Sequence, residues 1–183
     1  MQVRRLLIAL ATLAAAALPA AGAQAQDTTQ AKILAVTVHY VLANLAHGER
    51  VQGVVRIDPR GLSSRQVSLR RAGSEMTVYS PTLPRDTAIT ASLVRLIPNS
   101  VVGELGFPVC DALRRCALQD SVAAEVALGD PARTDDGQFE VFVSVRWVNP
   151  QMRTGIAAAR YQVLVERTNH GWRVLSARLL WVT

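Results

Sequence analysis

The stretch that decides the fold runs from Phe139 to Val182 and reads FEVFVSVRWVNPQMRTGIAAARYQVLVERTNHGWRVLSARLLWV. It contains three β-type runs, Phe139–Val148, Ala157–Arg167 and Trp172–Val182. In the first two runs apolar and polar residues alternate, so each strand would have one apolar and one polar face. The third run changes parity near Ser176, which predicts either a bulge or a strand covered on both faces.

The breaks between these runs, Asn149–Gly155 and Thr168–Gly171, are rich in residues that tolerate tight turns. A parallel crossover needs about a dozen residues or more, so these short breaks predict antiparallel neighbours. A further apolar run, Leu118–Leu128, is interrupted by Asp120 and predicts a fourth strand. We therefore expect a four-strand antiparallel meander with one face packed against the rest of the chain.

Two helices are predicted upstream of the meander. Ala31–His47 has apolar residues at helical spacing and Gly48 at the expected C-cap. The stripe consists of Leu34, Val38, Val41, Leu42 and Leu45. A shorter helix begins at Asp86 or Thr87 and ends before Pro98. Together these elements predict an α+β fold, a curved antiparallel sheet packed on one long N-terminal helix and a shorter second helix.

The segments between these elements give weaker patterns. Val51–Ile57 predicts a short strand that ends at Asp58–Gly61. Val67–Leu69 and Met76–Tyr79 predict a small hairpin, and Ser100–Pro108, with two glycines and a proline, predicts a loop.

The first residues have the pattern of an export signal. Arg4 and Arg5 precede the apolar run Leu6–Leu18, and overlapping A-x-A sites end at Ala23 and Ala25. The run is shorter than the about 20 residues that span a bilayer. We predict cleavage after Ala25, with Ala23 as the other site, which leaves residues 26–183 as a single α+β domain in the periplasm or outside the cell.

Cysteine content agrees with export. The chain has two cysteines, Cys110 and Cys116, and an even number in an exported protein predicts a disulfide. No histidine lies near them in the sequence, so a zinc site is disfavoured and no metal or cofactor is expected.

The net charge of +6 does not point to a nucleic-acid partner. Arg4 and Arg5 contribute two of these charges and leave with the signal. The other arginines occur singly or in short pairs, with no basic stripe interleaved with aromatic residues. Because export also separates the protein from nucleic acid, we expect a small molecule or an envelope protein as the partner.

The order of elements and the closing motifs resemble the nuclear-transport-factor-2-like superfamily, which includes polyketide cyclase-like and ketosteroid isomerase-like proteins. The closing motifs are Tyr161–Glu166, Asn169–Val174 and Leu180–Val182. The resemblance implies a cone-shaped sheet around the helices with a pocket at its open end. It also implies that a homodimer through the outer sheet face is a third hypothesis. No catalytic residue of that family aligns with a numbered position here.

Several side chains are candidates for a pocket. The candidate ligand-binding residues are His39, Tyr40, Trp147, Tyr161 and Trp181. His39 lies off the apolar stripe and could serve as a general base, although a surface role is the simpler interpretation. The aromatic residues suit a pocket wall, but plain core packing is the simpler interpretation.

Two carboxylates, Asp58 and Asp120, border apolar runs where burial could raise a pKa. The simpler interpretation is that Asp58, before Pro59, ends a strand and that Asp120 faces water. Standard catalytic signatures are missing from the sequence. We therefore expect an exported, non-catalytic domain that binds a small molecule or a protein. The alternative is a pocket enzyme of the isomerase, dehydratase or cyclase type that uses a histidine or a carboxylate as its base.

Overall fold

The computed structural model describes residues 28–69 and 74–183. The predicted signal peptide, with its cleavage site after Ala25, lies outside these residues, so it stays a prediction. No helix in the described part of the chain is both long enough and apolar enough to cross a membrane.

Two α-helices are described. Helix α1 covers residues 28–43 and is followed by a 3-10 turn at Ala46–Gly48. The predicted end at His47 is therefore too late, and Gly48, at φ 71°, closes the 3-10 turn instead of the helix. Helix α2, Thr87–Leu96, begins where predicted because the carboxylate of Asp86 accepts from the Ala88 backbone N–H at 2.7 Å.

The strands form one large sheet and one small hairpin. Their bounds are β1 Val55–Leu69, β2 Ser74–Pro84, β3 Ser100–Val102, β4 Val109–Cys110, β5 Cys116–Ala117, β6 Ala124–Leu128, β7 Ala132–Arg133, β8 Phe139–Val148, β9 Ile156–Thr168 and β10 Gly171–Val182. The large sheet has the order β10-β9-β8-β6-β1-β2, with β3 paired to β1 and β7 to β8, while β4 and β5 pair with each other.

The α+β prediction is confirmed, but the sheet is mixed and not antiparallel. Strand β1 pairs in parallel with both β3 and β6. The long excursion through β2 and α2 supplies the crossover that parallel pairing requires. Towards the C-terminus, β6 with β8, β8 with β9, and β9 with β10 are antiparallel pairs.

Three predicted element boundaries differ from the structure. Strand β1 continues through Asp58–Gly61, where the sequence predicts an end, and its register with β6 shifts there to accommodate Pro59. The run Leu118–Leu128 is a strand only from Ala124 onwards, because Gln119–Ser121 forms a 3-10 turn. The predicted loop after Asn99 instead begins with strand β3.

Two finer predictions are confirmed. The register of β10 on β9 shifts between Val174 and Ser176, where the change of parity predicts a bulge. Strands β1 and β2 form the predicted hairpin, although both are longer than the pattern indicates.

The hydrophobic core joins α1 to one face of the sheet. Leu34 and Val38 of α1 are fully buried in the same cluster as Val143, Val145 and Trp147 of β8. Each such side chain contributes about 1.5–3 kcal/mol when it is removed from water.

The opposite, polar face of the sheet is partly covered by residues 103–122, which we call the strap. Within the strap, Gly106 O accepts from Arg146 at 2.7 Å and Gln119 O accepts from Arg56 at 3.1 Å. The two strands of the strap, β4 and β5, are joined by the disulfide between Cys110 and Cys116, which confirms that prediction. Both faces of the central strands are therefore covered.

Candidate binding cavity on the polar face

A row of charged side chains crosses the polar face under the strap. Arg56, Glu125 and Arg146 occupy matching positions on β1, β6 and β8. Arg56 Nη1 lies 3.1 Å from Glu125 Oε1, and Arg146 Nη2 lies 2.5 Å from Glu125 Oε2. The single carboxylate, 1% exposed, thus accepts from two guanidinium groups.

A second ionic cluster lies beside this row. Arg60 Nε and Nη2 donate to the two carboxylate oxygens of Asp58 at 2.9 and 2.8 Å, a bidentate pair. Arg60 Nη1 lies 3.2 Å from Glu104, and the backbone N–H of Leu105 donates to Asp58 at 3.3 Å. These contacts fix the strap above the sheet.

Asp58 is held in its ionised form. Burial alone would raise the pKa of this carboxyl, but the hydrogen bonds from the Arg60 side chain and from the backbone of Arg60 and Leu105 outweigh it. The pKa therefore falls below its usual value of 3.8, opposite to the rise expected from burial near an apolar run. The hydrogen bond to Asp58 likewise raises the pKa of Arg60.

Next to these clusters lies a cavity of about 400 Å³. Its floor contains Ala127 and Ser144, which face each other on β6 and β8, and Arg160 follows in register on β9. Small side chains in the middle of a strand row leave a depression that larger residues would fill. Arg146 and Asp58 also line the cavity, as do residues 105–107 of the strap.

The lining of this cavity is net positive. It has three guanidinium groups, Arg60, Arg146 and Arg160, and one carboxylate, Asp58. Arg60 is engaged by Asp58 and Glu104, whereas Arg146 uses only Nη2 in its contacts with the described residues. The Arg160 guanidinium lies 5.6 Å from the centre of the Trp181 ring, which holds it in place from β10.

The sequence-predicted pocket residues do not line this cavity, and none of the four cavities described here is lined by more than one of them. His39 and Tyr40 are exposed on α1, and His39 Nε2 lies 3.1 Å from Leu96 O. His39 instead borders two other surface cavities, of about 550 and 400 Å³. Trp181, 46% exposed, contacts Arg160 on the polar face.

Trp147 and Tyr161 lie in the core between the sheet and α1. Trp147 is 2% exposed and its indole N–H donates to Glu49. The Tyr161 hydroxyl accepts from the Ala46 backbone N–H at 2.9 Å, and burial raises the pKa of this phenol. Both residues are therefore part of the core and line none of the four cavities described here.

Asp120 is apart from Asp58. Its side chain is 83% exposed, lies 2.5 Å from Arg56 and borders a separate surface cavity of about 420 Å³. Across residues 28–69 and 74–183, no three histidine, cysteine, aspartate or glutamate side chains are grouped so as to hold a metal ion.

Arg60, Glu125 and Ser144 belong to no motif that would predict a site. One signal was present in the run Ala124–Leu128, where Glu125 is the only charged residue in an otherwise apolar strand. A charge in such a position requires a partner on a neighbouring strand. Arg146 and Arg160 alternate with the apolar residues of their strands, which is typical of a polar face, but nothing in the sequence indicates the strap contact of Arg146.

Searches with the chain found no matching family model, no matching curated protein and no matching solved structure.

Proposed function

We propose that residues 26–183 form an exported, non-catalytic binding domain whose site is the cavity between Asp58, Ser144, Arg146 and Arg160. The observation that carries the proposal is that three guanidinium groups and only one carboxylate line a recess floored by small side chains. Such a lining favours a ligand with a negatively charged group, because carboxylates match the planar donor pattern of arginine.

The size and position of the cavity support this proposal. Its volume of about 400 Å³ lies within the range of about 300–1,000 Å³ typical of small-molecule sites. The ion pairs of Arg60 with Asp58 and of Arg146 with Glu125 hold three of its lining side chains in place before a ligand arrives. A site that is organised in advance loses less conformational entropy on binding.

The alternative, an isomerase, dehydratase or cyclase, has less support. Asp58 is bound on both oxygens by Arg60, and its lowered pKa makes it a poor general base at neutral pH. His39 lies on α1, on the other side of the sheet from Asp58.

The resemblance to the nuclear-transport-factor-2-like superfamily stays a prediction. The packing of a helix on a multi-stranded sheet supports it. Since Trp147 and Tyr161 are buried beneath α1, our proposal locates binding on the polar face and not inside the cone.

The test uses benzoate as an anionic probe and benzamide as its uncharged analogue, with binding measured by calorimetry. We expect benzoate to bind and benzamide to bind at least about tenfold more weakly, since a charge-assisted hydrogen bond contributes about 1.5–3 kcal/mol. Arg160→Gln should weaken benzoate binding by a similar factor. The matched control is Arg178→Gln, an exposed arginine on the adjacent strand, which should bind benzoate like the unmodified protein.

A second variant guards against a folding defect. Ser144→Leu keeps all three arginines but fills the floor of the cavity. It should therefore abolish benzoate binding, which Arg160→Gln only weakens. Urea unfolding of both variants checks that the fold is retained. Equal binding of benzoate and benzamide, or equal loss in Arg160→Gln and Arg178→Gln, would show that the cavity is not an anion site.

A further inference from the structure

The aromatic ring of Phe107 is exposed to solvent beside the cavity. Phe107 lies in the strap, borders the cavity and is 90% exposed. A phenylalanine side chain has a large apolar area, which a ligand seated in the cavity would cover.

The backbone on both sides of this ring is fixed. Gly106 O accepts from Arg146 at 2.7 Å, and Phe107 O accepts from the Gln119 side chain at 3.2 Å. One residue earlier, the Leu105 N–H donates to Asp58. Hydrogen bonds of the backbone on both sides of Phe107 thus fix this part of the strap beside the cavity. A ligand that contacts the ring would not have to order the strap first.

The side chains that line the cavity are of two kinds. Ser144, Arg146 and Arg160 are polar, and Leu62, Leu105 and Phe107 are apolar. A ligand that is only charged, such as inorganic phosphate, would leave the apolar side chains in water. A ligand that is only apolar would make no use of the guanidinium donors of Arg146 and Arg160.

We propose that the natural ligand is an amphipathic monocarboxylate, with its carboxylate against Arg146 and Arg160 and its hydrocarbon part beneath Phe107. This inference rests on the proposed function and adds the chemical class of the ligand. Both straight-chain and aromatic acids belong to this class.

The experiment measures the dissociation constants of acetate, butanoate, hexanoate and octanoate for the purified protein by calorimetry. Each methylene that Phe107 covers should lower the dissociation constant about fourfold, until the chain extends beyond the ring. Phe107→Ser should remove most of this dependence on chain length, and Phe107→Leu should keep part of it. Benzoate compared with acetate measures the same effect for an aromatic acid.

Leu83→Ser is the matched control, because Leu83 is 85% exposed but does not border the cavity, and it should keep the full dependence. Inorganic phosphate should bind the unmodified protein and Phe107→Ser equally. If carboxylates bind through Arg160 with the same affinity at every chain length, the proposal of an amphipathic ligand is wrong and the proposal of an anion site is retained. If no carboxylate binds in an Arg160-dependent way, both proposals are wrong.

Discussion

Arg56 and Glu125 form an ion pair that is closed to solvent at both ends. Nη1 lies 3.1 Å from Oε1, and the side chains are 6% and 1% exposed. Removing two charges from water is costly, and the pair is tolerated because Arg146 also donates to Glu125 and the Gln119 carbonyl accepts from Arg56. The part of the polar face that lies beneath the strap is thus an interior stabilised by ion pairs.

The first prediction concerns this pair. Glu125→Gln should lower the free energy of unfolding by about 3–5 kcal/mol, because it removes the buried carboxylate that two guanidinium groups share. Among the described residues, Arg56 then keeps only the exposed carboxylate of Asp120. The measurement is urea unfolding. Glu166→Gln is the control, since Glu166 pairs with Arg173 near the surface and should cost less than about 1 kcal/mol. Equal effects of the two substitutions would mean that Glu125 is accessible to water.

Period-two patterns predicted the strands whose burial alternates. In β8 the apolar set Val141, Val143, Val145 and Trp147 is buried, as the alternation in the sequence indicates. The stripe of α1 behaves in the same way, with Leu34, Val38 and Val41 in the core. These elements were predictable because one face of each meets a single continuous apolar surface.

The cavity was not predictable in the same way. Arg56 and Arg146 have the sequence pattern of water-facing residues, and only the tertiary position of the strap buries or covers them. Parallel pairing of β1 with β6 brings Arg56 beside Glu125, which lies 69 residues away in the sequence. Local periodicity carries no information about such a pairing.

The second prediction follows from the lowered pKa of Asp58. A carboxyl whose pKa is lower in the folded state stabilises the protein above its unfolded pKa, near 3.8, and loses that contribution as the pH falls through the folded value. Asp58→Asn should therefore lower the free energy of unfolding by about 2 kcal/mol at neutral pH.

At lower pH the difference between Asp58→Asn and the unmodified protein should shrink, starting near pH 3.8. Urea unfolding at about pH 7 and about pH 3 measures it. Asp135→Asn, in an exposed turn, is the control and should unfold like the unmodified protein at both pH values. A difference that stays constant on acidification would contradict the ion pair with Arg60.

The third prediction tests the packing of α1 on the sheet. Leu34 is fully buried, so Leu34→Ala should lower the free energy of unfolding by about 2–5 kcal/mol through lost burial and a residual cavity. Leu83→Ala removes the same atoms from a side chain that is 85% exposed and should cost less than about 0.5 kcal/mol. If both variants unfold at the same urea concentration, α1 does not pack where the structure has it.

The last prediction concerns the disulfide of the strap. Cys110 and Cys116 close a short loop beside Phe107, and opening it enlarges the conformational freedom of the unfolded chain. Replacing both cysteines by serine should lower the free energy of unfolding by about 2 kcal/mol. Thiol alkylation followed by mass spectrometry, with and without reductant, first verifies that the unmodified protein has no free thiol.

Benzoate binding then separates local from global effects of the disulfide. The strap is also held by Arg146 at Gly106 and by Asp58 at Leu105, so the double serine variant should still bind benzoate within about threefold of the unmodified protein. A loss of binding in a variant that remains folded would mean that the disulfide, and not the arginine contacts, positions the strap over the cavity.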